Sequence, residues 1–402
     1  MVDRFFDPPL ALTPTLSQRE REQEILFPPA LAEDQGAGVF EPAYLVKILL
    51  VKLSSLGDVV HALPVVQDIL AALPGAQIDW VVEKSFAPVL ALHPGVQRII
   101  PCEIRRWRTA PLSAVTRQQW NAFKADLRQT EYDAVIDLQG LTKSAVVARL
   151  ARLAPGGKRY ALGNQTDGSG YEAPTRWVAD VAIHLQPHIH AVQRSRELAA
   201  RALGYSFAPS LDYGLKRPPA QAGREHSSPE KIANKVAFVH GTSRADKEWP
   251  LAHWTALGHR LNAAGYQIAL PHGNEKEQLK SQAIARSLND CASGQAVVWP
   301  ILPLDALTRE LAQCAGVIGV DSGVSHIAVA LDLPHVQLYN FDTAWRTGPD
   351  AASGRQVSVY GAPSPSVDEV WRAWLGCLET VQGAQDPPPH ALKGSSSRTH
   401  GA

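Results

Sequence analysis

The sequence predicts an α/β protein made of two doubly wound, Rossmann-like domains in series. Three observations carry this. Short apolar runs alternate with amphipathic helical patterns along most of the chain, the signature of parallel sheets covered on both faces. The alternation stops at a polar, proline-rich stretch and then restarts. Several apolar runs end in small polar turns that open directly into helices, where ligands of such sheets bind.

The elements follow in order. Residues 1–44 mix prolines, charges and isolated apolar residues without periodicity, so they read as a disordered extension. They lack the basic start and apolar core of a signal peptide. The alternative is a misplaced start. Met1 is the only methionine, so a true start would need a non-ATG codon, perhaps at Val46. Residues 45–215 form the first domain. Its strands are expected at Val46–Leu53, Ile78–Val82, Val96–Ile100 and Ala134–Leu138. One helix carries Val66, Ile69, Leu70 and Leu73 on one face, and another carries Trp120, Phe123 and Leu127. Residues 216–234 are rich in Pro, Ser and charge, and read as a linker. Residues 235–382 form the second domain. Its strands are expected at Val236–His240, Gln267–Leu270, Ala296–Trp299, Gly316–Val320 and His335–Tyr339, with helices from near Leu251, Glu275, Asp305 and Val324. Residues 383–402 are a linker-like tail. Two such domains place a cleft between their facing strand ends.

Bulk composition narrows the function. The chain has 402 residues, 45% hydrophobic and 19% charged, with zero formal net charge. There is no global basic field for nucleic acid, so an anionic partner must meet a local patch. Cys102, Cys291, Cys314 and Cys377 are scattered without a CxxC pair, which fits a reducing compartment and argues against a disulfide scaffold or a zinc ribbon. No apolar run reaches the length of a membrane span.

Four stretches carry chemistry. In "VKLSSLGDVVHALP" a strand ends in Ser54-Ser55-Leu56-Gly57-Asp58. Gly57 allows close backbone approach or a positive φ. Asp58 is either the N-cap of the next helix or a general base at the sheet's carboxyl edge. In "VHGTSRADKEWP", Thr242, Ser243, Arg244 and Lys247 form either a solvated loop or a phosphate grip. In "GVIGVDSGVSHIAVALDLP", Asp321-Ser322-Gly323 turn into a helix carrying Ser325 and His326, a ready anion site. His326 either faces a diphosphate there or is a capping or packed histidine. In "CEIRRWRT", Arg105, Arg106 and Arg108 flank Trp107 as either a solvated basic loop or a grip for carboxylates and phosphates. Gln139 and Lys143 stand at a further strand end. GxGxxG and Walker A motifs are absent, which argues against a nicotinamide oxidoreductase and a P-loop enzyme.

Together these stretches, with "IDWVVEKSF", "YDAVIDLQGLTKSA" and "HAVQRSRELAA", resemble the ADP-heptose:lipopolysaccharide heptosyltransferases, glycosyltransferase family 9, from about Val46 to Leu375. The "IRRWR" run favours the branch of heptosyltransferase I over that of heptosyltransferase II, the alternative. A noncatalytic sugar-nucleotide-binding protein is the remaining reading, against which Asp58 and Lys247 speak. The resemblance implies a GT-B architecture, often with a C-terminal helix crossing back between the domains. It implies an ADP-L-glycero-β-D-manno-heptose donor on the second domain and Kdo2-lipid A as acceptor on the first. Transfer would be inverting, without a metal or cofactor, at the cytoplasmic face of the inner membrane, with peripheral attachment.

On this resemblance Asp58 matches the general base and Lys247 the lysine balancing leaving-group phosphate. Ser55, Gly57, Thr242, Ser243, Asp321, Ser322, Gly323 and His326 match donor contacts, with Asp321 on heptose hydroxyls. Glu277 matches an acid on the ribose. Arg105, Arg106, Arg108, Gln139 and Lys143 match acceptor contacts. A carboxylate with an ordinary pKa of about 3.9 is a weak base. It suffices if the proton moves as the new C–O bond forms, and partial burial is expected to strengthen it. Two departures stand out: His272 where the family commonly has Trp, and "YNFDTAWRTGP" where a Tyr-Gly-Pro-Thr-Asp pattern is usual.

Overall fold

The computed structural model describes residues 45–215, 234–291, 294–350 and 354–383. The expected N-terminal extension, all but the last residue of the linker, and nearly all of the tail lie outside the described residues. Two six-stranded parallel sheets make up the rest. The first contains β1 (Lys47–Val51), β2 (Gln77–Glu83), β3 (Arg98–Cys102), β4 (Glu131–Asp137), β5 (Arg152–Leu162) and β6 (Val181–Ile183), in the order β3-β2-β1-β4-β5-β6. The second contains β7 (Lys235–Val239), β8 (Gln267–Leu270), β9 (Ala296–Val298), β10 (Gly316–Val320), β11 (His335–Tyr339) and β12 (Gln356–Tyr360), in the order β9-β8-β7-β10-β11-β12. Both have the same winding, reversing direction beside the first strand of each half. The two switch points therefore lie between β1 and β4 and between β7 and β10.

Central strands are apolar runs because helices cover both faces. Ile48 pairs with Ile78 on one side and Ala134 on the other, and β10 and β11 are buried throughout. The second core gathers around Trp254. Phe238 lies 4.8 Å from it and Trp249 lies 4.9 Å away, nearly perpendicular. Such pairs add about 0.5–1.5 kcal/mol each beyond the area they bury. The indole Nε1 of Trp249 donates to the Pro365 carbonyl at 2.8 Å.

Several expectations are corrected. Strands β5, β6 and β12 were not foreseen. Strand β5 contains Pro155-Gly156-Gly157, which reads as a turn, and its register with β4 shifts between Tyr132 and Ala134. Strand β6 has only three residues, and β12 is an edge strand of mixed polarity. The helical run after β1 is split: one helix spans Leu56–His61 and a second starts at Pro64, a position that tolerates proline. The "IRRWR" stretch is a short helix, Ile104–Trp107, rather than a loop. Trp107 belongs to the core, 5.5 Å from Trp120, with its Nε1 donating to Gln119 Oε1 on the next helix at 3.0 Å. The terminal helix, Val367–Gly383, packs on β11 and β12 and places Val370, Trp374 and Cys377 in the second core, rather than crossing back.

The two halves meet at the helices Leu56–His61 and Gly323–Ala330, each opening directly behind a switch point. Glycine is required on both sides. A Cβ on Gly57 would lie 2.8 Å from His326 Cδ2, and one on Gly323 would lie 2.8 Å from the Leu56 side chain. Of the two roles open to Gly57, close approach is the one it performs.

Candidate active site

A cleft of about 420 Å³ opens at the carboxyl ends of both sheets, between the two switch points. From the first half it is lined by Lys52, Ser55, Gly57, Asp58, Arg105, Gln139 and Arg194, among others. From the second half come Ser243, Lys247, Asp321, Ser322, Gly323, His326 and Arg346.

Asp58 is not the N-cap of its helix. Ser55 is, and Asp58 sits at the third helical position of a reciprocal capping box. Its Oδ2 accepts from the Ser55 N–H at 3.0 Å and the Ser55 hydroxyl at 2.7 Å. Its Oδ1 remains on the cleft side, 4.0 Å from Lys52 Nζ and 3.8 Å from Arg194 Nη2, and the side chain is 36% exposed. The carboxylate is thus shared between a cap and a presented oxygen. Burial alone would raise its proton affinity, but Lys52, the two Ser55 bonds and Arg194 outweigh it and hold the pKa below the usual carboxylate value. The expectation that burial strengthens the base is therefore overturned: its charged neighbours and hydrogen bonds outweigh the burial.

Across the cleft, Asp321 ends β10. Its Oδ2 accepts from Lys247 Nζ at 2.5 Å and its Oδ1 lies 3.3 Å from His326 Nε2. Burial opposes the charge, yet His326 and Lys247 hold Asp321 well below the ordinary carboxylate range. Ser322 caps the helix Gly323–Ala330. His326 is buried and packs on His61, ring centroids 4.1 Å apart, so it is a packed histidine that also orients Asp321.

The other expected residues divide. Ser243 lines the cleft, whereas the Thr242 hydroxyl turns to the Arg244 N–H at 3.5 Å. Glu277 lies against Gly241, outside the cleft lining, and its Oε2 accepts from the Gly273 N–H at 2.7 Å. Arg105 lines the cleft; Arg106 is tied to Glu103 at 3.0 Å and Gln119 at 2.6 Å, and neither it nor Arg108 reaches the lining. Gln139 Oε1 accepts from the Leu53 and Ser54 N–H groups at 3.0 and 3.1 Å, so it pins the two sides of the first switch point together. Lys143 Nζ donates to the Ser54 hydroxyl at 2.8 Å at the cleft edge.

The comparisons with known proteins fall on this geometry. Residues 120–373 match the family model "Glycosyltransferase family 9 (heptosyltransferase)". The chain is 37% identical to lipopolysaccharide heptosyltransferase 1 of Pseudomonas aeruginosa over 79% of this chain and 84% of that one. The chain belongs to glycosyltransferase family 9. It is 25% identical to lipopolysaccharide heptosyltransferase 2 of Escherichia coli, over 78% of this chain and 88% of that one. The structure of E. coli heptosyltransferase WaaC with ADP superposes with a TM-score of 0.70 at 32% identity, covering 83% of this chain and all of that one. The architecture is GT-B, and the protein is a glycosyltransferase of the heptosyltransferase family.

In this family 9 enzyme, three charged side chains of the cleft lining, Lys52, Arg194 and Arg346, lie outside the sequence-based expectations. Lys52 is buried, donates to the Leu138 carbonyl at 2.9 Å, and has a pKa lowered by burial to about 8. A lone lysine in an otherwise apolar strand end was its signal. Arg194 and Arg196 lie two apart on the helix Ala191–Leu203. Arg196 makes a two-pronged bond to Asp68 at 2.7 and 2.8 Å, whereas Arg194 faces Asp58. Nothing in the spacing told these two apart. Arg346 reaches the cleft from the unusual segment after β11. Among the described residues no group of three or more His, Cys, Asp or Glu side chains is arranged to hold a metal ion.

Proposed function

We propose that this enzyme transfers heptose from ADP-L-glycero-β-D-manno-heptose to Kdo of Kdo2-lipid A in lipopolysaccharide inner-core synthesis, with inversion. One observation carries it: the carboxylate of Asp58 and the Lys247–Asp321–Ser322 turn face one cleft from opposite switch points. That is the arrangement an inverting transfer needs, with a base on one side of the reacting carbon and leaving-group stabilisation on the other. The higher identity to heptosyltransferase 1 of P. aeruginosa than to heptosyltransferase 2 of E. coli supports the first-acting branch.

In this reading the acceptor hydroxyl attacks the anomeric carbon as the bond to ADP breaks, and its proton passes to Asp58. Lys247 and the N–H groups of the Ser322–Gly323 turn receive the negative charge of departing ADP, a task the proposal gives to these groups rather than to a metal. Asp321 holds Lys247 and His326 in place and is offered to heptose hydroxyls. Ser55, Gly57, Thr242 and Ser243 flank the donor, and Glu277, beside Gly241, takes the ribose. Arg105, Lys143 and Gln139 bound the acceptor side, with Arg106 and Arg108 at its rim.

Transfer with ADP-heptose and purified Kdo2-lipid A is expected to yield a heptosylated product. No product with this acceptor, alongside product with an already heptosylated one, would move the enzyme to the second branch. No helix among the described residues is long and apolar enough to cross a membrane. We place the enzyme peripherally on the cytoplasmic face of the inner membrane, held by cations at the cleft rim. Washing membranes with about 1 M salt, where the screening length falls to roughly 3 Å, should release it. Retention after that wash would count against electrostatic attachment.

A further inference from the structure

The segment 341–348 departs from the family pattern, and the mechanism above leaves it unused. It reaches from the second half to the first. Trp345 stacks on His188 with ring centroids 3.7 Å apart and 23° between planes. His190 Nε2 meets the Gly348 carbonyl at 3.0 Å, and Arg346 Nη1 donates to the Gly168 carbonyl at 3.1 Å. Gly168 has φ +66°, and a Cβ there would lie 1.8 Å from Arg346 Nη1, so only glycine leaves room for this guanidinium. The segment thereby carries Arg346 to the wall of the cleft, where Arg194 stands in the first half.

Arg194 is a buried cation with an unmet donor. It is 7% exposed. Its Nη1 donates to Thr166 Oγ1 at 3.2 Å, its Nη2 stands 3.8 Å from Asp58 Oδ1, and its Nε has no partner. A buried donor without a partner carries a desolvation cost that an incoming acceptor atom removes. Two guanidiniums lining the same cleft, one contributed by each half, present planar forks, which suit a two-oxygen anion better than a point charge does.

We propose that Arg194 and Arg346 clamp a carboxylate of the acceptor, placed beside the hydroxyl that Asp58 deprotonates. This rests on the reading above, in which the acceptor is an acidic sugar. The position of Arg194 beside Asp58 assigns the clamp to the acceptor, since the departing diphosphate is met by Lys247 and the Ser322 turn. The clamp also has a consequence for the base. Lys52, Ser55 and Arg194 are the groups holding Asp58 acidic. A carboxylate on Arg194 would offset the smallest of these contributions and add a negative neighbour, both of which raise the proton affinity of Asp58.

The test compares the natural acceptor with one whose sugar carboxylate is converted to the carboxamide, in wild type, Arg194→Gln, Arg346→Gln and Arg346→Lys. Wild type should prefer the carboxylate in kcat/KM. Arg346→Gln should cut that preference roughly tenfold through the acceptor KM, with the donor KM unchanged and partial return in Arg346→Lys. Arg346 is only partly buried, so this arm stands even if Arg194→Gln does not fold. An unchanged preference in Arg346→Gln overturns the clamp, as does a shift confined to the donor KM. Calorimetric titration of the free acidic sugar and its amide into the ADP-saturated protein tests the clamp without turnover. If wild type turns over neither acceptor yet binds the acid more weakly after Arg346→Gln, the clamp holds and the assigned acceptor fails. If binding is the same in both proteins, the clamp fails on its own.

Discussion

Asp58→Asn is expected to lower transfer by about a hundredfold or more while ADP binding persists, because removing a general base costs roughly 10²–10⁴ in rate. The geometry makes this substitution informative. The asparagine carbonyl can still accept from the Ser55 N–H and hydroxyl, the two bonds that Oδ2 makes now. What disappears is the charge on the oxygen facing Lys52 and Arg194. Transfer measured with saturating donor and acceptor, beside ADP binding by calorimetry, separates the outcomes. Normal transfer would leave Asp58 as half of a capping box and require another base. Since Asp58 is held below the usual carboxylate value, its carboxylate stays ionised at neutral pH, and its protonation should depress kcat/KM only at pH values below the ordinary carboxylate range. The sign follows from the direction of the shift: a depressed pKa keeps the base available above it and loses it as pH falls through it.

Lys247→Met should lower kcat by roughly 10²–10³, the usual consequence of deleting one charge-stabilising group at a reacting centre. It should also destabilise the fold. Asp321 is almost fully buried, and losing Lys247 leaves its Oδ2 without the ammonium that now lies 2.5 Å away. Breaking a buried pair from one side costs up to about 3–5 kcal/mol. The two effects separate in the double variant with Asp321→Asn. Melting temperature should recover, since no buried carboxylate is left unpaired, but activity should not. Recovery of activity together with stability would mean that Lys247 only neutralises Asp321 and has no part in leaving-group departure.

Much of the site was legible because it sits where the chain changes character. Apolar strands ending in Ser-Ser-Leu-Gly-Asp and in Asp-Ser-Gly are β1 and β10, one beside each switch point, and sheet winding then forces both turns to the carboxyl edges. Residues on those turns were found. What failed was the assignment of individual partners. Arg105 and Arg106 are adjacent in sequence, yet only Arg105 enters the cleft, because the short helix Ile104–Trp107 turns Arg106 toward Glu103 and Gln119. Gln139 lines the cleft as expected, but its side-chain oxygen is also engaged by two backbone N–H groups, a structural task that local sequence does not show. Strand β5 was invisible because its prolyl and glycyl residues carry the local signal of a turn, while neighbouring strands supply the pairing that keeps it extended.

The sequence by itself determined the α/β class, the division into two halves, the two turn motifs and the family. These are set by local periodicity, turn chemistry and residue order, all of which act over a few neighbouring positions. Only the tertiary structure decided that Gly57 and Gly323 bring the two turns into direct contact, that Arg194 rather than Arg196 faces Asp58, and that Arg346 crosses to Gly168. It also decided the acidity of Asp58, where burial opposes the charge and Lys52, the two Ser55 hydrogen bonds and Arg194 together outweigh it. Charge and close packing depend on distances between residues far apart in the chain, and those distances exist only once both sheets have wound and met.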